Sequence, residues 1–267
     1  MKKLIEAMGR SHKGGTGLYK KPNSTVGYYG HDLPGAFEFG GAGRDPLTRH
    51  LKQTIDWPSG NPIAYKYNSL GLRGPEPDYN AETRILFVGG SLMHGVGVNV
   101  EDSFPYKVAK AMNASYINVS DTDSFTELFD EIEEHMFSFD PHYLVLGDTR
   151  FFDEFGYAWR MFWKDVSLTK EQKSILLNEL RPALAERNRK VMELLLYKIH
   201  NLYKGIPSVF ISSDRKDFAF KDGLLTYSTR PLHLNSEYFV DLARDNRHGG
   251  PKTHDVITHQ LLDLLNH

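Results

Sequence analysis

Arg84-Ile-Leu-Phe-Val-Gly-Gly-Ser-Leu92 is the stretch of sequence that decides the fold. Its apolar residues lead straight into two glycines and a serine, and a short apolar run that ends in glycines predicts a buried strand followed by a tight turn. Gly89 and Gly90 remove side-chain bulk and permit positive φ, so Ser91 can lie exposed at the tip of the turn. In an open parallel sheet that tip is at the carboxyl end of a strand, where ligands bind. Ser91 is therefore a candidate nucleophile, and the alternative is an ordinary loop between a strand and a helix.

Strands and helices alternate along the chain from about residue 82 onward. Apolar runs with the length of strands occur at 84–88, 116–119, 142–146 and 207–211. Apolar residues recur at helical spacing at 103–112, 125–137, 169–202 and 254–265, and Pro182 divides the third of these segments. Residues 212–235 show neither pattern and are predicted to be irregular. This alternation predicts an α/β fold with a parallel sheet.

Residues 1–80 differ in composition from the rest of the chain. Prolines recur at intervals too short for long helices, yet aromatic residues are too frequent for a disordered linker. We therefore predict an ordered but irregular N-terminal extension at 1–80, packed on an α/β main domain at 81–267. Within the extension, residues 67–76 are predicted to form a defined turn or short strand that leads into the main domain.

The composition of the chain narrows the classes of function. The 267 residues carry a formal net charge of −2 and no basic run, so a nucleic-acid partner is not indicated. Cysteine is absent, which excludes disulfides, thiolate catalysis and cysteine metal sites and suits a reducing compartment. The sequence shows neither a signal peptide nor an apolar stretch that could span a membrane. A cytoplasmic protein that does not engage a membrane is the expectation.

An aspartate and a histidine near the other end of the chain could activate Ser91. A serine hydroxyl needs a base to take its proton, and the base works better when a carboxylate orients it. Asp245-Asn-Arg-His248 offers both groups in a turn just before the last predicted helix. The spacing allows both side chains to point the same way. Asp241, four residues before Asp245, is the alternative orienting carboxylate.

Several stretches of the chain resemble the SGNH (GDSL-type) hydrolases. Residues 85–98 are similar to the first sequence block of that family, and residues 245–254 to its last block, Asp-x-x-His-Pro-x-x-x-x-His. Segments 21–28, 68–76 and 101–105 are similar to stretches that many bacterial members carry. The resemblance implies a flavodoxin-like three-layer α/β/α sandwich with a central parallel sheet.

The same resemblance implies roles for the three polar residues. Ser91 would be the nucleophile, His248 the base and Asp245 the carboxylate that orients the base, with no metal or organic cofactor. The implied reaction is hydrolysis of a small acyl ester, acetyl above all, on a carbohydrate or similar polyol, through an acyl-enzyme. Transfer of the acyl group to another sugar uses the same intermediate and stays open.

The chain departs from the family pattern at the positions that would hold the oxyanion of this reaction. Gly90 stands where the family has aspartate, residues 120–124 contain no glycine, and Thr149 stands where the family has asparagine. A backbone N–H near Ser124, the Thr149 hydroxyl and the Arg150 guanidinium are the candidate replacements. These departures leave a second hypothesis open, a catalytically degenerate module for binding or assembly. The N-terminal extension would then be a docking surface for a protein partner.

Other residues near these blocks have more ordinary interpretations. His94 is predicted to be exposed, with a place in the wall of the pocket as the alternative. Arg73 is predicted to make a structural salt bridge or backbone contact rather than to meet a substrate carboxylate. The resemblance implies a structural role for His254. The aromatic segment 151–163 is predicted to pack in the core or against the N-terminal extension, with a lid or substrate wall beside the site as the alternative.

Overall fold

A computed structural model describes residues 21–27, 51, 63–120, 125–147, 206–213, 229–245 and 248–266, together with positions 169, 171, 172, 175 and 179. Side chains at 125–131, 210, 212–213, 229–231 and 233 are outside this description. Apart from the five isolated positions, the predicted helix at 169–202 lies outside the described residues, as does the aromatic segment 151–163.

Seven strands and four α-helices have described bounds, and positions 171, 172, 175 and 179 are helical as well. The strands are β1 (Thr25–Val26), β2 (Tyr65–Lys66), β3 (Arg84–Gly89), β4 (Ser115–Ser120), β5 (Tyr143–Gly147), β6 (Ser208–Ser213) and β7 (Thr229–Leu234). The helices are α1 (Ser91–His94), α2 (Phe104–Ala111), α3 (Phe125–Phe139) and α4 (Pro251–Leu265), with 3₁₀ turns at Val100–Asp102 and Ser236–Tyr238. Within this part of the chain, none of the helices has the length and apolarity that crossing a bilayer requires.

A parallel sheet of five strands is the centre of the molecule. Its order is β4-β3-β5-β6-β7, and every neighbouring pair is parallel. Numbered from β3 as the first strand, this is the order 2-1-3-4-5 of the flavodoxin-like folds, whose ligand crevice lies where the order reverses, between β3 and β5. The predicted α/β class and flavodoxin-like architecture are therefore confirmed.

Helices cover both faces of the sheet and make it the middle of three layers. The alternation of β3 directs Ile85 and Phe87 to one face, where they join α2 and α4 in one buried cluster. Helix α3 packs against β3 from the opposite side, to which Leu86 and Val88 point. All four of these β3 side chains are fully buried, as expected for a central strand of a parallel sheet.

Strand β7 corrects the prediction that residues 212–235 are irregular. The strand Thr229–Leu234 extends the sheet beside β6, with Pro231 opposite Phe210. Proline cannot donate a ladder hydrogen bond, and it is tolerated here because β7 is the edge strand. Leu232 and Leu234 are the buried residues of its alternation. The apolar alternation of β7 was not recognised in the sequence, because it is short and is interrupted by Pro231 and polar residues.

The described part of residues 1–80 ends in an ordered turn, which contacts the backbone at the end of α1 and just after it. β1 pairs antiparallel with β2, and the backbone then turns back through a bridge between Tyr67 and Arg73. The Asn68 side-chain oxygen accepts hydrogen bonds from the backbone N–H groups of Leu70 and Leu72 and so fixes the turn. The defined turn predicted at 67–76 is confirmed.

Candidate active site

Ser91 is the first residue of α1, directly after β3 and Gly90. A side chain at Gly89 would displace Met93, because a Cβ there would lie 2.9 Å from the Met93 sulfur. Gly90 does not use the positive φ that glycine permits, since its φ is −99°; left-handed backbone occurs instead at Gly95, which ends α1, and at Gly97. Ser91 itself is half-buried at the carboxyl edge of the sheet.

The loop before α4 brings Asp245 and His248 to Ser91. The Ser91 Oγ lies 2.7 Å from His248 Nε2, and His248 Nδ1 lies 2.5 Å from Asp245 Oδ2. The second carboxylate oxygen of Asp245 accepts a 3.1 Å hydrogen bond from the backbone N–H of His248. Three residues that are far apart in sequence, Ser91, Asp245 and His248, thus form one continuous hydrogen-bonded chain.

Solvent exposure differs along this hydrogen-bonded chain. The Asp245 side chain is 0% exposed, whereas that of His248 is 14% exposed. A fully buried carboxylate next to Nδ1 favours the tautomer with the proton on Nδ1, because the carboxylate then accepts that proton's hydrogen bond. The Nε2 atom of this tautomer is an acceptor for the Ser91 hydroxyl. The arrangement is therefore suited to removing a proton from Ser91.

Backbone contacts hold the loop of residues 241–250 in shape. Leu242 and Gly249 form an antiparallel bridge, and the Ala243 N–H donates to the His248 carbonyl at 2.9 Å. Gly250 must be glycine, because a Cβ there would lie 2.6 Å from both the Asp241 carboxylate and the Leu242 carbonyl oxygen.

Asp241 caps helix α4 and is not the orienting carboxylate. Its Oδ2 accepts from the Lys252 N–H at 3.0 Å, and its Oδ1 accepts from both the N–H and the hydroxyl of Thr253 at 2.8 Å. These are the free donors of the first helical turn, which a carboxylate satisfies well. The alternative that Asp241 pairs with the histidine is therefore wrong, and Asp245 occupies that position.

The predicted oxyanion residues are only partly within the described chain. Gly90 is buried between β3 and α1. Ser124, Thr149 and Arg150 lie outside the described residues, so their roles stay predictions. Among the residues that the structure describes, no group of three or more His, Asp or Glu side chains is arranged to hold a metal ion.

His94 is buried, which corrects the prediction that it is exposed. Only 3% of the residue is accessible, and its ring stacks on Tyr65 with centroids 6.1 Å apart. Its Nδ1 lies 2.9 Å from the Ser120 Oγ at the end of β4. His94 therefore ties the helix that begins at Ser91 to the neighbouring strand.

Arg73 contacts the backbone, which is one of the two structural roles predicted for it. Its Nη1 donates to the carbonyls of His94 and Gly95 at 2.5 and 2.6 Å, and its Nη2 to that of Val98 at 2.6 Å. Burial lowers the pKa of this guanidinium from its ordinary value, and the nearby rings of Tyr65 and Tyr67 oppose that shift. Arginine nevertheless stays protonated at neutral pH.

His254 is a structural residue within α4. Its Nδ1 accepts a hydrogen bond from the Phe104 N–H at the start of α2, and the two rings stack with centroids 5.6 Å apart. Complete burial, with smaller contributions from the charges of Lys107, Arg73 and His248, lowers the pKa of His254 to about 3. A neutral His254 therefore joins the two helices that cover one face of the sheet.

Comparison with known proteins shows that this structure is similar to solved structures described as esterases and a lipase. No protein-family model matches the chain, and no curated protein matches it. It is similar to a carbohydrate esterase described as having divergent catalytic and non-catalytic binding functions at its active site, with 14% identity, coverage of 73% of this chain and 67% of that one, and a TM-score of 0.47.

Two further structures have comparable similarity. One is a carbohydrate esterase family 2 enzyme from Corynascus thermopiles (Myceliophthora fergusii), with 12% identity, coverage of 76% and 71%, and a TM-score of 0.44. The other is a protein from Parabacteroides merdae described as a GDSL-like lipase, with 13% identity, coverage of 71% and 100%, and a TM-score of 0.42. The assignment of the fold to the flavodoxin-like class rests on the strand order of the sheet.

Proposed function

We propose that the protein is a serine esterase that hydrolyses small acyl esters, with acetyl esters of carbohydrates as its substrate class. The observation that carries this proposal is the hydrogen-bonded chain from Ser91 Oγ through His248, at 2.7 Å, to Asp245, at 2.5 Å. A nucleophile, a base within hydrogen-bond reach and a buried group that orients the base are the recurring parts of serine acyl transfer. The resemblance of residues 85–98 and 245–254 to the SGNH hydrolases supports the ester as the bond that is cleaved.

In the acylation step, His248 Nε2 takes the hydroxyl proton of Ser91 while Oγ attacks the ester carbonyl carbon. The buried Asp245 carboxylate stabilises the imidazolium that forms, without itself taking the proton. As the tetrahedral intermediate collapses, the bond to the alcohol oxygen breaks and His248 returns the proton to that oxygen. The free alcohol leaves, and the acyl group remains bonded to Ser91.

In the deacylation step, a water molecule occupies the place of the alcohol. His248 removes a proton from this water, whose oxygen attacks the acyl carbon. The bond to Ser91 Oγ then breaks, His248 returns the proton to Oγ, and the carboxylic acid leaves. Transfer to a second sugar would replace the water by a sugar hydroxyl, with the same proton movements.

The negative oxygen of both intermediates needs donors in the site. The backbone N–H of Ser91 is in the first turn of α1, where a helix supplies no acceptor, and it is one candidate. We propose that the Ser124 backbone N–H and either the Thr149 hydroxyl or the Arg150 guanidinium are the others. Loss of one such donor costs about 10²–10³ in kcat. Turnover that is unchanged in both Thr149→Ala and Arg150→Ala would refute the proposal that one of these two side chains is an oxyanion donor.

The test of the proposed function is covalent labelling of Ser91. We expect a fluorophosphonate to add one phosphonyl group to the native protein, detected by intact mass and located at Ser91 by peptide mapping. His248→Ala should slow this labelling by orders of magnitude, and Ser91→Ala should abolish it. Acetylated sugars and simple aryl esters would then identify the substrate class. A native protein that gives no adduct would refute the esterase proposal in favour of a catalytically degenerate binding or assembly module.

A further inference from the structure

The turn at residues 94–98 contacts both halves of the candidate active site. At one end it is joined to Ser91 through the single turn of α1, whose first residue is Ser91 and whose last is His94. At the other end the Gly97 carbonyl accepts a 3.0 Å hydrogen bond from the Arg244 N–H, the residue before Asp245. A Cβ at Gly97 would lie 2.7 Å from the Ala243 Cβ, so the turn and the loop are packed backbone to backbone. Any shift of this turn therefore changes the position of Ser91 relative to the loop that carries His248.

Two side chains from the N-terminal part of the chain hold this turn. Arg73 donates to the carbonyls of His94, Gly95 and Val98, so its planar guanidinium joins the start and the end of the turn. The Tyr65 hydroxyl accepts a 2.7 Å hydrogen bond from the Gly97 N–H. The Arg73 guanidinium carbon also lies 4.3 Å from the centre of the Tyr65 ring, which is a cation–π contact. Arg73 and Tyr65 thus form one support, with contacts along the whole turn.

The burial of Arg73 is costly. Only 2% of the residue is accessible, and among the described residues no carboxylate pairs with its guanidinium. Its Nε has no hydrogen-bond partner there either. An unpaired buried charge is destabilising unless its hydrogen bonds and contacts compensate for the lost hydration. The geometry that Arg73 imposes is confined to the turn between Ser91 and the loop of Asp245 and His248.

We propose that Tyr65 and Arg73 are positioning residues that keep Ser91 and His248 at reacting distance. They act through the backbone at 94–98 and do not touch the substrate. The inference rests on the proposed function, because it concerns the same serine and histidine. Loosening the turn should lengthen the 2.7 Å contact between Ser91 Oγ and His248 Nε2, and a misplacement of about 1 Å can cost about 10²-fold in rate.

The test compares two conservative tyrosine variants. Tyr65→Phe keeps the ring against Arg73 and removes the hydroxyl that accepts from the Gly97 N–H. Tyr116→Phe is the matched control, because Tyr116 is also buried but its hydroxyl has no hydrogen-bond partner among the described residues. The measurements are the second-order rate constant of fluorophosphonate labelling at Ser91, kcat and KM for an aryl ester, and the thermal midpoint.

We expect Tyr65→Phe to lower the labelling rate constant and kcat by about 10-fold to 100-fold, with KM within about twofold of native. Tyr116→Phe should match the native protein in all three kinetic constants. Arg73→Lys keeps the charge but loses the planar fork, so its rate constants should lie between those of the native protein and Arg73→Met. A purely structural role would lower the thermal midpoint of Tyr65→Phe and leave the rate constants of the folded protein unchanged.

The outcomes separate this inference from the proposed function. Native-like labelling in Tyr65→Phe would overturn the positioning role while leaving the esterase proposal intact. Equal losses in Tyr65→Phe and Tyr116→Phe would also overturn it, because the effect would then belong to any buried hydroxyl. Native protein that gives no adduct at Ser91 would overturn the esterase proposal and the positioning role together. Tyr65→Phe is the deciding variant, since its shape is nearly unchanged and Arg73→Met could fail to fold.

Discussion

Two aspartates four positions apart, Asp241 and Asp245, have different surroundings and therefore different roles. Asp241 accepts hydrogen bonds from the N–H groups of Lys252 and Thr253 and so completes the start of α4. Asp245 pairs with both the ring and the backbone N–H of His248. One carboxylate is committed to the stability of the fold, and the other is available to orient a base.

Replacing each of these aspartates by asparagine should therefore affect different measurements. Asp245→Asn should lower kcat by about 10⁴, because the amide favours the wrong imidazole tautomer. Its thermal midpoint should change little. Asp241→Asn should instead lower the free energy of unfolding by about 1–3 kcal/mol, because its amide N–H₂ faces backbone donors. Steady-state kinetics and urea denaturation of both variants measure this. A large loss of kcat in Asp241→Asn alone would reverse the assignment.

The pH dependence of stability should reveal the burial of His254. Its pKa is lowered to about 3 in the folded protein, from a model-compound value of 6.5, so the unfolded chain takes up a proton between those values and the folded chain does not. The stabilisation is fully present above about pH 6.5 and is lost as the pH falls toward 3, at up to about 1.4 kcal/mol per pH unit.

Urea denaturation from about pH 7 to about pH 4 measures this loss. The matched variant is His254→Gln, whose side-chain oxygen can still accept the Phe104 N–H and which cannot take up a proton. Between these pH values, its free energy of unfolding should fall less steeply than that of the native protein, by the equivalent of about one proton. Parallel curves for the two proteins would contradict the assignment of the proton to His254.

At the scale of single residues, the polar residues of the candidate site could be identified from the sequence, but the burial and contacts of some residues near them could not. The grouping of Ser91, Asp245 and His248 could be predicted, because a serine nucleophile needs a base and a carboxylate and the turn signals place those residue types at loop ends. Their catalytic roles stay predictions. The burial of His94 could not be predicted, because it depends on stacking with Tyr65, which belongs to strand β2. The choice between Asp241 and Asp245 was also open, since Asp241 lies only four residues before Asp245 and both precede the last predicted helix.

Among the elements, the turn between α1 and the 3₁₀ turn at Val100–Asp102 has a shape that depends on a glycine. Gly97 has φ +81°, and a Cβ there would contact Ala243 at 2.7 Å. Gly97→Ala should therefore lower the free energy of unfolding by about 2–4 kcal/mol, from the left-handed backbone and the overpacking together. Gly27→Ala is the control, because a Cβ there meets no described residue within 4 Å and its φ is not positive. Urea denaturation of both variants measures the difference, and equal stabilities would contradict it.

Elements with strong apolar patterns could be predicted to within a few residues, and one weak element could not. The predicted strands at 84–88, 116–119 and 142–146 correspond to β3, β4 and β5, since central parallel strands are apolar on both faces. The edge strand β7 was missed, because half of its side chains need not be apolar and Pro231 is typical of turns. Its pairing with β6 is decided by the sheet rather than by its own sequence.

At the scale of the whole molecule, residues 63–67 of the predicted N-terminal extension pack against the predicted main domain. Ile63, Tyr65 and Tyr67 form a buried cluster with Val96, which belongs to the turn after α1. Composition suggested the boundary, because residues 1–80 lack periodic elements, but it carries no information about which later residues they cover. We propose that residues 63–80 belong to the folding unit of the main domain.

Two truncated chains should therefore behave differently. A chain of residues 81–267 lacks Arg73 and Tyr65, so the carbonyls of His94, Gly95 and Val98 lose their buried donors and Val96 loses its apolar cover. Because buried polar groups without partners each cost about 1–3 kcal/mol, we expect this chain to show no cooperative thermal transition. A chain of residues 63–267 retains these contacts and should melt cooperatively by circular dichroism. Cooperative melting of both chains at the same midpoint would mean that residues 63–80 are an appendage, and the fold would then hold Ser91 and His248 in place without them.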